Sequence, residues 1–593
     1  EKTYKATYQE MLLPRATDIK YTIDIYPQER DVVIKGDLRL VNKESASIDT
    51  LFVNTLPELD LELEIERATL VREDPELDVQ FYHLSPALQP GDSLRARYTA
   101  KYVSEGFENQ VRFTEVVQNG TFFNNSHITP AFGYQPDREL GDKAERKKLG
   151  LPERVAMPPL ERHCSDACRN TYFTNNADWV DVETVISTSA DQIAVAPGSL
   201  LREWEEDGRR YFHYRLDHPS MAFYSFISAD YEVAREQWNG IDVEVYYHRD
   251  HPYNVDKMLN SIKKSLDYNS RRFSPYRHRQ ARIIEFPRYA SFAQAFPGTM
   301  PYSEGIGFIA RIEEEDDIDM VFYVVAHEMA HQWWGHQVAS AAMEGATLLV
   351  ETLAQYSAIM TMEKEYGRDQ IHKFLKYEMD RYLRARGTET LKEKPLMRVD
   401  ANQGYVHYRK GSVALYYLKE MIGEDSLNSA LRDLAETYGY AEPPYPTSHA
   451  LVDRLRERTP DSLQYLITDL FEEITLFDNR VVGNPMYEAL DDGRYRVSLE
   501  VECNKLRADS LGAETPVPIA DYVDIGVYAK PAEGTKRGKP LHLERLHITE
   551  PRQNFEFIVD ELPHEAGIDP NYFLIDRMPE DNVKRVKEAG SGF

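Results

Sequence analysis

Residues 327–331 read His-Glu-Met-Ala-His, inside a run from 321 to 331 that holds no helix breaker. On a helix, His327 and His331 project from one face about a turn apart, which suits two imidazole nitrogens on a single zinc ion. Glu328 then points beside the metal. There its carboxylate can take a proton from a water whose pKa the cation has lowered toward neutrality. A buried helix with solvated ends is the bland account of the same five residues. It weakens because Glu351 follows inside the apolar stretch 347–356, where an acidic residue is costly without a partner. Two histidines and one glutamate leave the fourth tetrahedral position open, the arrangement of a catalytic rather than a structural zinc site.

These residues need a helical scaffold, and the hydrophobic periodicity supplies one. Helical spacing runs from 254 onward, including 319–336, 347–366, 412–422 and 448–477. On either side the chain alternates as strands do. Tyr21, Ile23 and Ile25, then Ile34, Leu38 and Leu40 mark the N-terminal part; Val523, Ile525 and Val527, then Phe555, Phe557 and Val559 mark the C-terminal part. The expected fold is multidomain α+β: an N-terminal β-sandwich over 1–235, a mainly helical catalytic domain over 236–478 and a C-terminal β-sandwich over 479–593.

Composition narrows the functional classes. A chain of 593 residues with 42% apolar and 28% charged residues is that of a globular protein too long for one core. A net charge of −29 repels phosphate backbones and anionic lipid, so nucleic acid is not an expected partner. The longest apolar run, 320–326, is too short to cross a bilayer and no leader opens the chain. The first residue is Glu1 and the last four are 590–593, Gly-Ser-Gly-Phe, which reads as a processed or excised form of a longer protein. Three cysteines exclude a disulfide framework. Cys164 and Cys168 after His163 leave a metal site, a local disulfide or a plain surface loop open, while Cys503 falls on an alternating strand as a buried apolar residue.

HEMAHQWWGHQV at 327–338 and LLVETLAQY at 348–356 resemble the aminopeptidase N family of gluzincin zinc metallopeptidases. The resemblance implies a thermolysin-like catalytic domain, one zinc ion per chain, a peptide substrate, and hydrolysis by a water that Glu328 activates. The family usually places eighteen residues between the second histidine and the ligand glutamate, whereas nineteen separate His331 from Glu351; an inserted residue in the connecting turn, 339–345, accounts for this. Tyr408-Arg409-Lys410-Gly411 looks like the segment whose tyrosine donates to the tetrahedral oxyanion, with Tyr405 as the runner-up. Upstream, Gly298 to Gly305 resembles the edge-strand motif that binds a substrate's free amino group. Glu304 aligns with the motif's glutamate, and Gly305 replaces its asparagine. Asn119 to Asn125 resembles a second amino-terminus loop, although an ordinary turn is the simpler account. His336 reads as a solvent-facing helix-end residue, and Trp333 and Trp334 as packing residues.

The same phrases are similar to the peptidase-like domains that some bacterial ABC-transporter permeases carry. That similarity implies an extracytoplasmic domain with a membrane-embedded permease in the full-length chain or complex, the alternative being a soluble cytoplasmic enzyme. The altered segment at 298–305 leaves a second functional reading, a non-catalytic or narrowly specific peptide-binding module of a membrane transport complex.

Overall fold

The computed structural model describes residues 2, 4–106, 115–164, 167–174, 177–312, 317–389, 392–532 and 537–589; the terminal 590–593 segment lies outside them. The chain forms two compact units, 1–362 with 431–447 and 363–430 with 448–593.

In the first unit the largest sheet follows the path Ser199–Glu206, Arg209–Arg215, Ala177–Ser189, Arg15–Tyr26, Asp31–Val41, Ser93–Tyr102, Asp60–Ile65. Tyr21, Ile23 and Ile25 all face inward, and Ile23 sits opposite Ile34 on the antiparallel neighbour. A second sheet, built on Ile48–Asn54 and Val79–Leu88, turns Leu51, Val53, Tyr82 and Leu84 into the same core. The alternation in the sequence is thus the alternation of a two-sheet packing, one face dry and the other wet. Cys164 and Cys168 form a disulfide, one of the alternatives open in the sequence.

The expected boundary near 235 falls inside a hairpin. Glu232–Trp238 pairs with Ile241–Tyr247 across Asn239-Gly240, both at positive φ, as a two-residue turn of this hand requires. Ile241–Tyr247, Gln280–Phe286 and Thr299–Ser303 then run parallel, covered by the amphipathic helix Val255–Arg272. The metal-motif helix is Met320–Ala330, shorter than the 319–336 expected. Asp319 caps it, its carboxylate accepting from the Phe322 amide at 3.0 Å. Beyond His331 the chain turns through Gly335, whose φ of +125° a side chain would resist. The 347–366 helix begins with a π turn, Leu348–Thr352, and continues as α over Leu353–Tyr366.

The second unit contains the helices Arg368–Arg386, Gly411–Ile422 and Ser448–Arg458 and two C-terminal sheets. The helical reading of 448–477 ends at Glu472, because Ile474–Ala489 is a strand paired with Tyr495–Ala508. A short apolar run serves helix or strand equally well, and here the long antiparallel partner decides. Val523, Ile525 and Val527 are buried on Asp521–Tyr528, and Cys503 is buried on Tyr495–Ala508, as their alternation predicts. Among the described residues no helix is long and apolar enough to cross a membrane.

Candidate metal centre

His327 and His331 share one face of Met320–Ala330 and its last turn, and Glu351 reaches them from the π turn that opens the next long helix. The three donors converge. His327 Nε2 and His331 Nε2 are 3.0 Å apart, and Glu351 Oε2 is 3.5 Å from the first and 3.4 Å from the second. Zinc bonds of about 2.0–2.1 Å at tetrahedral angles separate ligand atoms by about 3.3 Å, so the triad has the spacing of a zinc site. Glu351 Oε2 is buried and receives no hydrogen bond among the described residues, a state that a cation would relieve. His331 Nδ1 lies 3.0 Å from the Trp334 carbonyl; with the proton on Nδ1, the Nε2 lone pair faces the site. Glu351 sits within the π turn Leu348–Thr352, which is wound more loosely than an α turn.

Glu328 is 7% exposed beside the triad. Burial pushes its carboxyl up, while His327 and His331 pull it down and the Ala295 amide lies against it. Ala295 belongs to a segment that the sequence reading did not single out. Thr299–Ser303 is not an edge strand, as had been expected of the 298–305 region. Residues 292–296 pair along its outer side: Gln294 N donates to Pro301 O at 3.1 Å, Phe296 N to Thr299 O at 2.8 Å and Ser303 N to Phe292 O at 3.0 Å. The free edge is therefore 292–296.

That edge is held by the residues immediately after the second histidine. The Gln332 amide accepts from Gly298 N at 2.8 Å and donates to Phe296 O at 2.9 Å, clamping the Pro297-Gly298 turn. His336 Nε2 is 3.0 Å from Ala295 O. His336 is thus buried rather than solvent-facing, because the Gly335 turn folds it back; burial lowers its pKa to about 3. Its donor atoms are not in the candidate group of His327, His331 and Glu351. Trp333 and Trp334 are buried, their indole N–H groups donating to Ser274 O at 2.8 Å and Ser357 Oγ at 2.9 Å. Backbone pairing of distant segments carries most of this, which is why the local pattern missed Ala295 and Gln332.

Glu304 does not join the triad. Its Oε1 accepts from Arg288 N at 3.2 Å, and its Oε2 faces His251. Gly305 follows it in a turn whose Cβ position lies 3.6 Å from Arg288. Asn119 and Asn125 serve the local fold, accepting from Asp230 N at 2.8 Å and Tyr224 N at 2.7 Å. Tyr405 and Tyr408 lie in the second unit, on a π turn, Tyr405–Lys410. Tyr405 stacks on Tyr382 with centroids 5.9 Å apart, while Arg409 beside Tyr408 is bound to Glu378 at 2.8 Å.

Residues 257–469 match the model of the peptidase family M1 domain. The human endoplasmic reticulum aminopeptidase 2 is 24% identical over 210 residues, 34% of this chain and 22% of that protein. Human aminopeptidase RNPEPL1 is 24% identical over 252 residues, 40% of this chain and 32% of that protein. The matches therefore span less than a third of each relative's own length. In fold, the chain is similar to an M1 zinc metallopeptidase variant from Deinococcus radiodurans crystallised with a Tyr-Ser-Ala substrate: TM-score 0.52, 15% identity, 78% of this chain and 95% of that one. Residues 257–469 thus carry the likeness to a peptidase family M1 domain, and the fold is similar to that of an M1 zinc metallopeptidase.

Proposed function

We propose that this protein hydrolyses peptide bonds in the manner of the aminopeptidases it resembles, with one zinc ion held by His327, His331 and Glu351 and with Glu328 as general base. The observation that carries this reading is the convergence of three donors at tetrahedral spacing beside a buried carboxylate, Glu328, whose charge interacts with His327, His331 and Glu351. When bound, the zinc ion supplies a Lewis acid that polarises the scissile carbonyl and acidifies water.

The chain's own groups supply the rest. Glu328 accepts the proton of the attacking water and returns it to the leaving amine, a role that burial favours by strengthening the carboxylate as a base. The Ala295 amide lies beside that carboxylate and lowers its pKa. Along the 292–296 edge the backbone groups of residues 292, 294 and 296 are used inward, so Ala293 faces outward and can pair with a substrate backbone as an added strand. Tyr408 is assigned the hydrogen bond to the developing oxyanion from its place in the YRKG segment. Neither a binding module that recognises peptides without cutting them nor a permease partner forms part of the proposal.

The test combines a zinc assay with hydrolysis of matched free and N-acetylated peptides. The expected result is zinc-dependent cleavage, faster on the free peptides. Zinc bound at the triad with neither peptide cleaved would sink the reading.

A further inference from the structure

A second constellation of metal-ligating groups lies at the carboxyl ends of the three parallel strands. Glu285 is near the end of Gln280–Phe286, Glu304 directly follows Thr299–Ser303, and His251 stands in the loop after Ile241–Tyr247. In parallel sheets this end is where loops gather and ligands bind. His251, Glu285 and Glu304 each bring one donor atom, and the three donors lie within 4.8 Å of one another.

The two carboxylates are held in the same way. Glu285 Oε2 accepts from the His248 amide at 2.6 Å, and Glu304 Oε1 accepts from the Arg288 amide at 3.2 Å. Each therefore has one oxygen fixed by the backbone and presents the other to the same imidazole. Glu285 Oε1 is in hydrogen-bond contact with His251 Nδ1, and Glu304 Oε2 is 4.0 Å from it. Fixing a ligand's second atom on a neighbouring group is how metal sites orient the side chains that touch the ion. Glu285 is fully buried, and burial raises its carboxyl to about 6, the nearby Glu304 charge adding to the shift. Two carboxylates aimed at one imidazole repel each other, and the Arg288 guanidinium, 4.0 Å from Glu304, is largely exposed to water. A divalent cation removes that repulsion directly.

We propose that His251, Glu285 and Glu304 form a second divalent-metal site, distinct from the triad of His327, His331 and Glu351, and suited to an ion that takes imidazole and carboxylate together, Zn2+ or Mn2+. The remaining coordination positions go to water, which reaches the site past the side chains of His251 and Glu304, 25% and 18% exposed. The site closes the base of the excursion from 286 to 303, because Glu285 begins it and Glu304 ends it. That excursion carries the 292–296 edge whose Ala295 amide faces Glu328. A metal here ties down the strand ends beneath the substrate edge.

The experiment strips the purified protein with a chelator, reloads it with Zn2+ or Mn2+ and counts bound metal by elemental analysis. Circular dichroism confirms that each variant is folded. The parent is expected to hold two equivalents. Glu304→Gln, whose side chain is partly exposed, and Glu285→Gln, which keeps its volume, should each hold one. His327→Ala should also hold one, lost from the other site. A parent that binds a single equivalent overturns the proposal, and so does a second equivalent that survives both glutamine substitutions.

Discussion

His336 Nε2 sits 3.0 Å from the carbonyl oxygen of Ala295, and the amide of the same Ala295 lies against Glu328. One residue of the edge is thus fixed on its carbonyl side by a histidine, and its amide lies beside Glu328. His336→Ala leaves a buried carbonyl unpaired, a loss of about 1–3 kcal/mol. It also frees the edge to shift. The expected outcome is a fall in kcat of roughly ten-fold, with zinc content unchanged, as for the loss of an outer partner in a metal site. Parallel kinetic and zinc measurements check it; an unchanged kcat would show that the contact is only packing.

Glu328 is not one of the three converging donor residues, so its removal separates chemistry from metal retention. Glu328→Gln is expected to keep zinc and to lose about 10²–10⁴ in kcat, the range of a general acid–base group. Zinc analysis beside single-turnover peptide cleavage decides the matter. Cleavage at the parental rate would remove Glu328 from the mechanism.

The convergence of His327, His331 and Glu351 was legible in the sequence because its logic is local. His327 and His331 are four apart on one helix, and Glu351 is an acid in an apolar stretch, so composition and period suffice. The sandwich strands were legible for the same reason, as with Tyr21, Ile23 and Ile25. Misreadings arose where distant backbone pairing decides. Thr299–Ser303 resembles an edge until residues 292–296 cover it, and no periodicity announces that return. His336 seemed exposed on a helix extrapolated past His331, but Gly335 reverses the chain and buries it. Glu304 was placed by alignment with a motif, whereas its neighbours His251 and Glu285 come from two other strand ends.

Tyr405 and Tyr408 share one π turn, so packing and catalysis can be told apart by removing only the hydroxyls. Tyr408→Phe is expected to lower kcat by about 10²–10³ with little change in KM, the signature of an oxyanion donor. Tyr405, stacked on Tyr382, should tolerate the same change without loss of rate. Steady-state kinetics on one peptide test both. The reverse ranking would transfer the role to Tyr405.

Arg409 holds Glu378 through Nη1 at 2.8 and 2.9 Å, joining the Tyr408 turn to the helix Arg368–Arg386. The Glu378 side chain is fully buried, and burial raises its carboxyl even though Arg409 and Arg381 pull it down. Removing the guanidinium strands that carboxylate, a loss of about 3–5 kcal/mol where a buried pair is broken on one side. Arg409→Ala should therefore unfold at lower denaturant, and its deficit should depend on pH in a defined direction. A carboxyl with a raised folded pKa binds its proton more tightly folded than unfolded, so stability falls as pH climbs from the ordinary carboxylate range through the folded value. The variant is expected to lie closest to the parent in acid and furthest from it at neutral pH. Adding Glu378→Leu to Arg409→Leu removes both charges and should restore most of the stability, as for other buried pairs replaced by apolar residues. Denaturant melts across that pH range test the argument, and a deficit independent of pH would mean that Glu378 is not the group left uncompensated.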